Sequence, residues 1–337
     1  MRLAMLLRWS QLAWILVAGA VGASPLFDDD AMLDIELHGP IGETLDDTRN
    51  RAERPFSLVV NGVALDVMVR VRGKSRTIAC RFPPMRLRFS NPADTVFAGQ
   101  HKLKLVTHCN AARSFETNVL EEYAAYRIMG LLTEASLRVR LLRITYVDTD
   151  KRSRKPLERF GFILESADEM AERLGGSAVN RKGVPPSRLL REHIATVFVA
   201  QYLIGNTDWS LVRAEGEDTC CHNGILVETS EGRLYYVPYD FDMSALVDAP
   251  YAKQQAGVGS RRTRIRRYAG YCFDFVDLPA AIHKVREARK DIFAEMQKIE
   301  ALSGRKLKAA SHYLEGFFRE AEDPERLVAR FAKTCVG

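Results

Sequence analysis

The sequence predicts a two-lobed α+β protein, with a mainly antiparallel, strand-rich first half and a mainly helical second half. Three observations carry this. Between residues 65 and 105, aliphatic residues alternate with basic or polar ones, the period of half-buried strands. From residue 189 onward, apolar residues recur at helical spacing. Pro185-Pro186 marks the change between the two patterns. The organisation that follows is a leader over residues 1–23, a β-rich lobe over 24–165 and a helical lobe over 166–337.

The leader reads as a secretory signal. Arg2 and Arg8 give a basic start, Leu12 to Gly22 is almost wholly apolar, and Val21-Gly22-Ala23 is a small-residue cleavage site. The apolar stretch falls short of the roughly 20 residues that a membrane span needs. The expected product is an exported chain, periplasmic or secreted, with no membrane span after cleavage. Export directs the reading of the six cysteines toward disulfides, paired within halves and with Cys80–Cys109 first. Cys220, Cys221, Cys272 and Cys335 remain for the second half. Zinc is a poor alternative, because no Cys-x-x-Cys pair exists.

Within the first lobe, Leu65 to Arg72, Met85 to Phe89 and Lys102 to Leu105 read as three consecutive strands. Pairing as an antiparallel meander would gather Arg70, Arg72, Arg86, Arg88, Lys102 and Lys104 on one face. That face is either a solvated exterior or a phosphate-facing floor, because like charges on one sheet repel unless water or an anion compensates. A helix over 116–130 carries Glu116, Glu121 and Glu122. Two further strands, 138–147 and 159–166, flank a charged turn, and the second ends at Glu165 near the junction of the lobes. A helix over 189–204 then leads into Gly205-Asn206. Ile282, Val285, Ile292, Met296, Ile299 and Leu302 form a stripe expected on one long helix, and shorter helices around 305–319 and 324–334 end the chain.

The net charge is +6 and unevenly spread, and its densest basic run is Arg261-Arg262-Thr263-Arg264-Ile265-Arg266-Arg267. This run is either a solvated loop or a docking patch for an acidic or phosphorylated partner. Nucleic-acid binding would need more basic surface interleaved with aromatics, so no nucleic-acid partner is expected.

The chemistry gathers between residues 203 and 242, where acid and amide clusters follow in order: Gly205-Asn206-Thr207-Asp208, His222-Asn223 and Asp240-Phe241-Asp242. Phosphoryl transfer needs one Asp to orient the attacking hydroxyl, and an Asn and a second Asp to hold Mg²⁺. Apolar runs at Ile225-Leu226-Val227 and Leu234-Tyr235-Tyr236-Val237 suggest a strand pair bringing Asn223 and Asp240 to one mouth. The plainer alternative is that Asp208 caps a turn and that Asp240 and Asp242 bracket a strand end.

With Val71-Arg72-Gly73-Lys74-Ser75-Arg76, Met85 to Phe89, Phe97 to Leu105, the helix bearing Glu121 and Glu122, Gly161 to Glu165 and the Asn206-to-Asp242 region, the chain resembles the CotH family of spore-coat protein kinases. The resemblance runs over roughly residues 60 to 245. It implies an atypical kinase-like fold, and transfer of the ATP γ-phosphoryl to a hydroxyl acceptor on a protein or small molecule. It also implies site roles. Asp208 would be catalytic; Asn223 and Asp240 would hold Mg²⁺ (or Mn²⁺), with Asp242 as an extra ligand. Arg72, Arg88 and Lys104 would contact the nucleotide phosphates, with Glu122 or Glu121 partnering Lys104 and the nucleotide lying near Glu165. Trp209 departs from the pattern, where an Arg often follows the aspartate, as does the insert before His222 with its vicinal cysteines. A non-catalytic binding protein of the cell envelope and a nucleotidyl transferase are the alternatives.

Overall fold

The computed structural model describes residues 25–150, 155–181, 184–211, 220–252, 265–272 and 277–336. The proposed leader and residues 261–264 of the basic run lie outside these. Seven strands form a closed barrel: β1 (Leu33–Gly39), β2 (Arg54–Val60), β3 (Val63–Val71), β4 (Met85–Phe89), β5 (Lys102–Val106), β6 (Val139–Asp148) and β7 (Leu157–Leu164). Their order around the barrel is β1-β2-β3-β4-β5-β7-β6. β6 closes onto β1 in parallel, with Leu33 opposite Leu142 and Ile35 opposite Ile144, and every other pair is antiparallel.

Two short helices, α1 (Ile41–Asp46) and α2 (Arg76–Ala79), interrupt the barrel strands, and the long α3 (Arg113–Leu132) follows β5. The barrel interior is aliphatic, with Ile35, Leu58, Val69, Leu87, Leu105 and Ile144 buried in one cluster. Val106, Val139, Leu141, Phe162 and Leu164 belong instead to the larger cluster shared with α3. The exterior of the barrel is therefore divided. Over β5–β7 it is apolar and covered by α3; over β3–β5 it is basic.

The remainder holds α4 (Ala167–Arg173), α5 (Arg191–Ile204), α6 (Asp277–Glu287), α7 (Arg289–Lys298), α8 (Gly304–Glu320) and α9 (Pro324–Phe331). It also holds a second sheet, β8 (Gly176–Val179), β9 (Gly224–Thr229) and β10 (Leu234–Pro238), in the order β10-β9-β8. Among the described residues no helix is long and apolar enough to cross a membrane.

This architecture overturns the expected two-lobed, kinase-like fold with a helical second lobe. The strands of its first half close into a barrel, completed by β1 and β2, for which no strand was expected. Its second half holds a three-stranded sheet, in which β9 and β10 fall on the two expected apolar runs and β8 is an addition. The stripe expected on one long helix is divided between α6 and α7, which meet at Ala288, with Ile299 and Leu302 beyond the end of α7. The β3–β4–β5 meander, α3 and α5 do form where expected.

All six cysteines are paired, as Cys80–Cys109, Cys220–Cys221 and Cys272–Cys335. Pairing therefore stays within halves. Three disulfides fit a protein exported to an oxidising compartment, and all six cysteine sulfurs are engaged in them.

Candidate active site

The turn bearing Asp208 is built by the end of α5. Gly205 caps this helix in the left-handed region at φ 65°, and a Cβ there would lie 2.8 Å from that of Ala245. Asn206 is buried, and its side-chain oxygen accepts from the Asp208 amide at 3.0 Å. Its carbonyl accepts from the Trp209 indole at 3.2 Å. Trp209 in turn stacks on Phe198 of α5, with ring centroids 5.4 Å apart. The carboxylate of Asp208 is thus carried on a turn whose neighbours are fixed in the core.

Two side chains converge on Asp208. The Asn223 amide nitrogen donates to the Asp208 carbonyl at 2.7 Å and to its carboxylate at 3.0 Å. His222 Nε2 lies 2.9 Å from the other carboxylate oxygen. The backbone bonds Ser210 N–His222 O (3.1 Å) and His222 N–Ser210 O (3.0 Å) hold the two segments in register. With both amide donations spent on Asp208, the Asn223 Oδ1 is the end that can serve a cation. The vicinal pair Cys220–Cys221 directly precedes these residues.

β9 and β10 pair antiparallel, with Gly224 opposite Pro238, so Asn223 and Asp240 flank one mouth as the apolar runs suggest. The Tyr239 amide donates to the Asn223 carbonyl at 3.1 Å. Asn223 (φ 50°) and Asp240 (φ 64°) both adopt left-handed backbone, which Asn and Asp tolerate better than most residues. Gly224 could not be larger, since a Cβ there would lie 1.9 Å from the Tyr236 ring. Beyond Asp242, Ala245 N donates to Gly205 O and Leu246 N to Ile204 O, setting the Asp240 turn beside the end of α5.

At the centre is a residue to which the sequence reading gave no role. Arg76 of α2 is buried and bonds three carboxylates: Glu122 at 2.9 Å, Asp240 at 2.6 Å and Asp242 at 2.8 Å. Burial pushes the Glu122 and Asp242 carboxyls above their ordinary range, only partly opposed by Arg76, and the neighbouring carboxylates push in the same direction. The same carboxylates raise Arg76 well above its ordinary value despite burial. Tyr251 adds a hydrogen bond to Asp242, and the Tyr126 hydroxyl of α3 accepts from the Asp240 amide at 2.8 Å. The signal for Arg76 lay in the basic run from Arg72 to Arg76, but spacing alone did not separate it from Arg72.

The other expected site residues divide. Arg72 and Lys104 belong to the cluster: burial lowers both, and the Asp240 charge opposes this in each case. Lys104 Nζ sits 4.8 Å over the Tyr239 ring. The Lys104–Glu122 pair does not form, because Arg76 takes Glu122; Glu121 accepts from Asn118. Arg88 is held by Glu53 at 2.6 Å. Glu165 is buried and held by Arg173 at 2.8 Å. Arg266 of the basic run packs on the Tyr313 ring at 3.9 Å and donates to Leu203 O, a structural anchor rather than a docking group.

Among the described residues, no group of three or more His, Cys, Asp or Glu side chains is arranged to hold a metal ion. Asp242 is unsuited to the role, because its side chain is 4% exposed and committed to Arg76. Asp240, 39% exposed, and Asn223 Oδ1 remain. Two hard oxygen ligands suit Mg²⁺ delivered with phosphates, which usually keeps several waters and takes one or two protein ligands. Comparison with models of known protein families and with curated proteins finds no match for this chain.

Proposed function

We propose that this chain is a phosphotransferase that moves the γ-phosphoryl group of ATP to a hydroxyl acceptor, on the closed barrel described above rather than on a kinase-like pair of lobes. The observation that carries the reading is the contiguous set Asp208–Asn223–Asp240, joined by the Asn223 amide and the β9–β10 mouth, with Arg72 and Lys104 beside Asp240. The CotH-like order of these residues supports the same reaction class, and three disulfides suit work in the periplasm or outside the cell.

The acceptor hydroxyl forms a new bond to the γ-phosphorus as the bond to the β-phosphate oxygen breaks. Asp208 orients the hydroxyl and takes its proton, and ADP leaves. Asn223 and His222 hold the Asp208 carboxylate in one orientation for this. Arg72 and Lys104 offset phosphate charge, where placement and fixed charge supply most of the rate. Bound through Asp240 and Asn223, Mg²⁺ would supply further charge neutralisation on the phosphates.

A non-catalytic nucleotide- or partner-binding protein is the second reading. One observation favours it: Arg76 already neutralises Asp240 and Asp242. A thermal-shift titration with ATP, with and without Mg²⁺, distinguishes the two when joined to a phosphoryl-transfer assay. Ligand at 100-fold over its Kd stabilises the fold by about 2.7 kcal/mol, an easily seen shift. A Mg²⁺-dependent shift lost in Asp240→Asn, with transfer lost in Asp208→Asn, is the expected result. Transfer that survives Asp208→Asn, or the absence of any shift at millimolar ATP, would overturn it.

A further inference from the structure

The basic face of the barrel extends beyond what a nucleotide needs. β3, β4 and β5 are in register so that Arg70 lies opposite Arg86, and Arg86 opposite Lys104. Arg88 lies opposite Lys102 in the next row of the same face. Neighbouring strands stand about 5 Å apart, so these cations form a continuous two-row patch whose corner, Lys104, lies beside Asp240. Arg72 continues the β3 side of the patch just past the strand end.

The patch is poorly compensated. Glu53 is the carboxylate that serves it, bonding Arg88 at 2.6 Å and standing 4.0 Å from Arg70. Among the described residues no carboxylate lies within ion-pair distance of Arg72, Arg86, Lys102 or Lys104. Arg70 and Arg86 repel: burial and the Arg70 charge hold Arg86 below its ordinary value, and the Glu53 charge opposes them only in part. Like charges placed directly across a sheet destabilise it. The barrel keeps them in three successive strands, although the adjoining exterior sector over β5–β7 is apolar and packed by α3.

We infer that this face binds an acidic segment of the acceptor polypeptide, so that Glu or Asp residues lie over Arg70, Arg86 and Lys102 while a hydroxyl reaches Asp208. The inference rests on the phosphotransferase reading and names its substrate class as acidic proteins. A peptide is favoured over a membrane surface because the patch runs into the Asp240 corner of the site, where a strand-like segment could continue. Arg72 and Lys104 are left for the nucleotide; Arg70, Arg86 and Lys102 select the acceptor.

The test is fluorescence anisotropy with a short labelled Glu-Ser peptide and its Gln-Ser counterpart, on the full exported chain at low salt. The Glu peptide should bind and the Gln peptide should not. Affinity should fall as salt shortens the screening length from about 30 Å at 0.01 M to about 10 Å at 0.1 M. Arg70→Gln with Arg86→Gln should weaken the Glu peptide on the order of tenfold, from two lost charge contacts, while leaving the ATP-induced thermal shift in place. Removing like charges relieves repulsion, so the double variant should fold; single Arg86→Gln, with a smaller loss, serves if it does not. Equal binding of both peptides, or an unchanged affinity in the variants, overturns the inference. So does binding of phosphatidylglycerol–phosphatidylcholine vesicles through these arginines without binding of the Glu peptide. Peptide binding without any ATP shift would instead remove the phosphotransferase reading and leave the acidic docking face standing.

Discussion

Lys104 is a side chain whose charge the site itself controls. Burial, then Arg72, brings it down to about 8; Asp240 pulls the other way and Arg86 adds to the depression. A base with a depressed pKa in the folded state holds its proton less tightly than the unfolded chain does, so the folded protein carries a penalised ammonium below about 8. A phosphate beside it removes that penalty and raises the pKa again. ATP affinity should therefore be fully present below about 8 and decline as pH rises through that value. Measuring the Kd at a series of pH values from about 7 to about 9 checks this, with Lys104→Arg expected to flatten the profile because guanidinium stays charged throughout. A profile equally steep in Lys104→Arg would assign the titration elsewhere. The neighbouring Arg72 was legible in the sequence as a strand-end cation; its closeness to Asp240 was not, because that depends on a contact between chain segments far apart in sequence.

At the scale of elements, α2 shows why part of the site escaped sequence reasoning. It is four residues long, too short to persist by helix propensity. Arg76 holds it by bonding Glu122 on α3 and both aspartates of the turn after β10. Period-two alternation made β3, β4 and β5 plain, and apolar spacing made α3 and α5 plain. A single arginine joining three elements has no period to read. Its removal leaves Glu122 and Asp242 buried without their cation, so Arg76→Met should cost about 3–5 kcal/mol in urea unfolding. The pH dependence has a definite sign. Carboxyls raised by burial are tolerated when protonated, so their contribution is present at low pH and lost as pH rises through the folded values. The variant's deficit should therefore grow between about pH 6 and about pH 8, as the uncompensated carboxyls are forced to ionise. A deficit that shrinks over that range would mean that the carboxyls are ionised and satisfied by other partners.

Over the whole molecule, closure is what the sequence concealed. Leu33, Ile35 and Leu37 alternate with Asp34 and Glu36 as clearly as any later strand, but the parallel β1–β6 pairing joins residues more than a hundred positions apart. Nothing local distinguishes an edge strand from one that seals a barrel. The disulfides divide between the two parts of the molecule in a way that permits a test of how stability and site are coupled. Cys80–Cys109 spans 29 residues and clamps the residue that caps α2, one turn beyond Arg76, to the segment following β5. Cys272–Cys335 spans 63 residues and ties the segment before α6 to the segment after α9, neither of which carries a residue of the Arg76 cluster. Loop-closure entropy gives each a contribution of about 3 to 4 kcal/mol. Replacing either pair by serine should lower the thermal midpoint to a similar degree. Only the Cys80 and Cys109 double variant should also weaken ATP binding, because α2 loses its second anchor and Arg76 no longer fixes the Asp240 turn. Equal losses of ATP affinity in both variants would show that the site responds to global stability alone; a selective loss would locate the coupling in the four residues of α2.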